Sequence, residues 1–165
     1  MTRPRSAKGH CGANHSTFDS RKTSKVPCLT EPVRRVTLVL VTLERARESL
    51  QAAQVCLREG LINSAASRAY YALFQAAQVA MAIAGSPRDE WSHAGLQSAF
   101  IRELIHQRKI YPAVFRDYLS SGLRMRHVAD YGREGVSRKT AQRLVHRAAS
   151  FVAAVEEKVH HGSTS

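Results

Sequence analysis

Residues 63–81 read NSAASRAYYALFQAAQVAM. Ala65, Ala69, Ala72 and Ala76 recur at spacings of four, three and four, which places them on one stripe of an α-helix. Alanine is the best helix former and has a very small side chain, so such a stripe lets a second helix approach closely. Asn63 or Ser64 is placed to cap the start, and Gly85, Ser86 and Pro87 stop the helix. The segment 69–87 is uncharged but contains Tyr70, Gln75, Gln78 and Ser86. Spanning a bilayer takes roughly 20 predominantly apolar residues. The stretch therefore reads as a buried helix, and no membrane association is expected.

Working outward, the same period recurs on both sides. Residues 37–59 carry Leu43, Ala46, Leu50, Ala53 and Leu57 at spacings of three and four, with Gly60 as a stop. A third helix is predicted over 92–107 and a fourth from Pro112 to about Tyr131. After the loop GREGVS, Ser137 caps a fifth helix to about Val159, with Leu144, Ala148, Phe151, Val152 and Val155 on one stripe. No strand pattern competes. The connections are short, which predicts an all-α, antiparallel bundle of about five helices.

The chain has 165 residues and a formal net charge of +12, enough length for one domain with a real core. Residues 1–35 hold eight Lys/Arg against Asp19 and Glu31, which is half of that excess. They show no apolar period and are rich in Ser, Thr, Gly, Lys and Arg, so a disordered basic tail is expected over 1–35. A nucleic-acid-binding arm, a transit peptide and an over-extended translation start all fit that composition. The domain proper is expected over 36–160, with 161–165 a disordered end. A basic balance suits polyanionic partners such as RNA, through phosphate neutralisation. Cys11, Cys28 and Cys56 form no paired spacing, which argues for a reducing, cytoplasmic setting and against a zinc site. Neither metal nor cofactor is expected.

Polar chemistry concentrates in RMRHVADYGREG, residues 124–135. Arg124 and Tyr131 are seven apart, two turns along nearly the same face, with His127 between them. Arg126 and Asp130 form an i, i+4 pair displaced around the helix. On the 63–81 helix, Arg68 precedes Tyr71 by three, so the two sit where they can share a cleft. Each set also fits a solvated helix face or a packed seam.

Four stretches in order, NSAASRAYYALFQAAQVAM, SHAGLQSAF, RMRHVADYG and SRKTAQRLVHRAASFVAAVEE, resemble the HEPN superfamily. The similarity covers residues 43–158 and is narrower to small bacterial and archaeal members with an A-x-S-R-A-Y-Y-A-x-F helix and a later R-x-x-x-D-Y. It implies a helical bundle, commonly a homodimer, whose Arg-bearing helices meet across the dimer axis. Many members are metal-independent endoribonucleases with an R-x4-6-H motif. In one toxin class this becomes R-x4-H-x-Y, and a companion minimal nucleotidyltransferase modifies the Tyr. On that pattern Arg124 matches the Arg and Tyr131 the Tyr, but Ala129 stands at the His position. His127 lies about 200° around the helix from Ala129, and His93, at the start of the third helix, is a further candidate.

The resemblance therefore gives three readings. The first is an RNA- or nucleotide-binding, regulatory module paired with a minimal nucleotidyltransferase in a toxin–antitoxin-like or defence system. Its binding residues would be Arg68, Tyr71, His93, Arg124 and His127, with Tyr131 as the modification acceptor. The second is an endoribonuclease using Arg124, Arg126, Asp130 and Tyr131. The third is a purely structural helical dimer. Ala129 cannot transfer a proton, which places the first ahead of the second.

Overall fold

A computed structural model describes residues 31–88 and 90–162. The helices run in order as α1 (Glu31–Arg58), α2 (Ile62–Ile83), α3 (His93–Phe100), a wider π-helical segment (Ile101–Gln107), α4 (Val114–Tyr131) and α5 (Arg138–Gly162). Among the described residues there is no strand, so the all-α bundle expected from the sequence is what the chain forms. No helix among them is long and apolar enough to cross a membrane.

α2 is the central element, packed against α1, α3, α4 and α5. Ala65, Ala66, Ala69, Ala72, Ala76 and Ala77 are all fully inaccessible. The alanine stripe does what its spacing suggested, since neighbours close on α2 from several sides. α1 lays Val39, Leu43, Ala46 and Ala53 against it, and the Ser49 hydroxyl bonds the Gln75 side-chain amide across the seam at 2.8 Å. α5 contributes Leu144, Ala148, Phe151, Val152 and Val155. Phe151 meets Phe115 of α4 and Phe100 of α3 at ring-centroid distances of 4.7 and 5.4 Å. Arg47 of α1 donates to Glu156 of α5 at 2.6 Å, joining the first and last helices.

Several boundaries differ from the sequence reading. α1 begins at Glu31, so 31–35, assigned above to the tail, are helical. Pro32 falls in the first turn, where a missing N–H costs nothing. Val33, Val36, Leu40 and Val41 are exposed, so this half of α1 has no burial period to announce it. α5 extends to Gly162, which takes His161 and Gly162 out of the expected disordered end. The remaining tail, with Cys11 and Cys28, and residues 163–165 lie outside the described residues.

α2 starts at Ile62 without a side-chain cap. Asn63 instead accepts the backbone N–H of Val136 at 2.8 Å, pinning the loop before α5. Ser92 and Ser137 do cap their helices, accepting from Gly95 N and Thr140 N. Gly60 ends α1 at φ +79°, as its position suggested. The third helix changes pitch after Phe100, and the wider turn buries the adjacent pair Leu104 and Ile105 together.

α4 reaches α2 through Gly122. A Cβ there would stand 3.0 Å from Leu73 Cδ1 and 3.1 Å from Tyr70 Cδ2. A branched side chain there must displace the packed Leu73 and Tyr70 side chains. Gly122→Val is expected to lower stability by about 2 kcal/mol in urea denaturation, and an unchanged midpoint would refute the close approach.

Candidate functional site

α4 presents two polar faces, and residues that the sequence grouped together divide between them. The inward face carries Arg126, whose side chain is only 16% exposed. Its Nε donates to Asp130 Oδ2 at 3.1 Å, confirming the i, i+4 pair, and its Nη1 bonds His93 Nε2 at 3.1 Å. The guanidinium lies over the rings of Tyr71 and Tyr70, at 5.1 and 5.9 Å from their centroids. Arg68 also lies over Tyr71, at 5.9 Å. His93, the first residue of α3, packs on Phe74 at 4.6 Å and contacts Tyr70 Oη through Nδ1 at 2.6 Å.

The proton positions follow from the donors. A guanidinium can only donate, so His93 Nε2 must accept. The ring hydrogen then sits on Nδ1 and points to Tyr70 Oη. Burial lowers the His93 pKa, and the nearby positive charge of Arg126 lowers it further. Burial likewise pushes the Tyr70 phenol up, outweighing the opposing pull of Arg126. The imidazole is therefore neutral with both nitrogens engaged, and Asp130 offsets the Arg126 charge. This network holds the C-terminal half of α4 against α2 and α3. Its groups are occupied with one another and suit positioning better than chemistry.

The outward face carries Arg124, His127 and Tyr131. With Ser120, Leu123, Val128 and Gly132 they line an open groove of about 510 Å³, whose lining surface is mainly apolar. Tyr131 is 77% exposed, and its ring lies 6.3 Å from that of His127. Among the described residues no carboxylate lines this groove. Ala129, the residue at the motif's His position, packs against the hydrophobic core. The 200° between Ala129 and His127 thus turns His127 toward Arg124 and Tyr131, and His127 supplies the imidazole that lines the groove.

The four residues proposed for nuclease chemistry do not form one constellation. Arg124 and Tyr131 line the groove, whereas Arg126 reaches His93 of α3 and Tyr71 of α2, with Asp130 paired to it. Of the proposed binding residues, Arg68, Tyr71 and His93 lie with the inward group, and Arg124 and His127 with the outward one. Tyr70 was missed. Its signal was the doubled Tyr in the alanine stripe, since a buried phenol demands a partner. Among the described residues no three His, Cys, Asp or Glu gather as a metal site.

His93 makes the fold sensitive to acid. Its folded pKa lies below the ordinary value, so between the two the unfolded chain binds more protons and stability rises with pH. A glutamine at this position would keep one donor and one acceptor without titrating. The Tm advantage of wild type over His93→Gln is expected to shrink as pH falls below about 6.5. An advantage independent of pH from about 7.5 to about 5 would show that His93 does not titrate against the fold.

The HEPN domain family profile matches residues 39–158. A UPF0332 protein of Gloeobacter violaceus, glr0978, is 30% identical over 112 residues, which cover 67% of this chain and 86% of that protein. The matched region runs from Val39 within α1 to Lys158 in the last turns of α5 and includes both faces of α4. With the ordered helix pattern and the all-α bundle, these matches establish that the chain belongs to the HEPN family.

Proposed function

We propose that this HEPN protein is an RNA- or nucleotide-binding module, acting in the cytoplasm as a homodimer and regulated by a minimal nucleotidyltransferase in a toxin–antitoxin-like or defence pairing. The observation that carries this reading is the outward face of α4. There Arg124, His127 and the exposed Tyr131 share a groove that no carboxylate lines among the described residues. A guanidinium supplies paired donors to phosphate, and aromatic rings offer a stacking surface to a base. The phenol of Tyr131 is open to a modifying enzyme, and charge added there would stand beside Arg124 in the same groove. Leu123 and Val128 add apolar surface suited to a second copy or a partner.

A metal-independent endoribonuclease is the second reading, favoured by His127. An imidazole in the same groove as Arg124 supplies the proton-transfer group that Ala129 lacks. The spacing, with His three residues after Arg, departs from the family's nuclease motif.

Fluorescence anisotropy and gel assays on single-stranded RNA in EDTA, with fluorescent ADP as the nucleotide probe, separate the readings, using the full chain, Arg124→Ala and His127→Ala. Binding without cleavage is expected, weakened at least about tenfold in Arg124→Ala. Cleavage by wild type that is lost in His127→Ala would replace the binding module with the nuclease. Absence of binding to RNA and nucleotides would leave the structural dimer.

A further inference from the structure

A second cleft opens between α4 and α5. Arg124 and Ser121 reach it from α4, and Thr140, Arg143 and Arg147 from α5. On each helix the residues follow helical spacing, Ser121 to Arg124 on one side and Thr140, Arg143 and Arg147 on the other. The two stripes line one space of about 290 Å³, with Met125 and Leu144 completing the lining. Three guanidiniums and two hydroxyls therefore face a common volume that, among the described residues, no carboxylate lines. None of these arginines forms an ion pair among the described residues.

Such an arrangement favours an anion. Guanidiniums sharing a cleft add their positive fields there and raise the local anion concentration. Arg47 and Arg126, by contrast, pair with Glu156 and Asp130. Arg143 and Arg147 are oriented by neutral groups. The Ser121 hydroxyl donates to the Asp117 carbonyl and accepts from Arg147 Nη1 at 3.2 Å. Arg147 also lies over Tyr118, 5.3 Å from the ring centroid. Arg143 Nη2 approaches Thr140 Oγ1 at 3.5 Å. These contacts orient Arg143 and Arg147 without engaging a carboxylate.

We infer that the α4–α5 cleft is a phosphate-binding site, with Arg124, Arg143 and Arg147 as its charged donors. Planar guanidinium forks match phosphate oxygens in pairs, and three of them suit more than one phosphate. The anion site stands on this cleft alone. The source of its phosphate, a nucleotide diphosphate or the backbone of an RNA strand, rests on the binding reading above. Arg124 also lines the groove of Tyr131 and His127, so a base in the groove would have its phosphates beside the cleft.

Calorimetric titration of the full chain with inorganic pyrophosphate tests the site, followed by ADP and by a short single-stranded oligoribonucleotide. The variants are Arg143→Gln/Arg147→Gln, the charge-retaining Arg147→Lys and the charge-matched control Arg58→Gln/Lys158→Gln. Thermal melts check that each is folded. Saturable pyrophosphate binding is expected, weakened about tenfold or more in the cleft double variant and nearly unchanged in the control. Arg147→Lys should fall between them and retains the cleft charge should the double variant misfold. Weakening of ADP binding identifies a nucleotide. Weakening of RNA binding, with a shallower salt dependence, identifies the strand. Pyrophosphate binding at the cleft without affinity for ADP or RNA keeps the anion site and removes the nucleic-acid reading. Failure of the full chain to bind pyrophosphate, or equal losses in the cleft and control variants, overturns the site; RNA binding that survives unchanged would leave the groove reading intact.

Discussion

Everything in this bundle depends on how closely its helices approach α2. A helix carrying large side chains on several sides would hold its neighbours apart, and the space between them would have to be filled. α2 meets four partners with alanines instead, and places its larger residues, Leu73, Val79 and Met81, where gaps remain. The aromatic contacts of Phe151 with Phe100 and Phe115 join α3, α4 and α5 within the same core. The same economy operates at Gly122, where α4 has no side chain to separate it from Tyr70 and Leu73. The position of α4 is therefore set by backbone proximity as well as by side-chain interlocking, and α4 carries both polar faces.

Those faces have different kinds of polar chemistry. Arg126 is matched with Asp130, His93 and two tyrosines, so its charge and hydrogen bonds are satisfied internally. Arg124, two residues earlier, turns outward into two open spaces with basic and aromatic neighbours. Helical geometry makes this division unavoidable, because two residues along an α-helix is a rotation of about 200°. A dense polar cluster in sequence thus becomes a structural half and an available half.

Much of the fold was legible in advance because its signals are periodic. The alanine stripe of 65, 69, 72 and 76 and the apolar positions of α5 repeat at helical spacing and are buried as that spacing implies. The N-terminal turns of α1 were not legible, since Val33, Val36 and Leu40 remain exposed and lack a contrasting polar face. Asn63 was misread because a capping residue can serve a distant loop as readily as its own helix. Of the candidate site, the shared face of Arg124, His127 and Tyr131 followed from counting residues. The Arg126–His93–Tyr70 chain did not, because it joins three helices across sequence separations of 33 and 23 residues. No local pattern specifies which buried phenol meets which imidazole.

Arg124 borders both spaces on the outer side of α4, the aromatic groove and the arginine cleft. One guanidinium has a fixed number of donors, and each donor satisfies one acceptor direction at a time. Two separate ligands would therefore compete for it, whereas a single ligand spanning both spaces would engage it from both ends. The sign of the coupling between the two spaces consequently reports whether one molecule or two occupies them, and linkage requires the coupling to be equal in both directions. The shared side chain makes this part of α4 a junction whose cooperativity is set by the length of what binds.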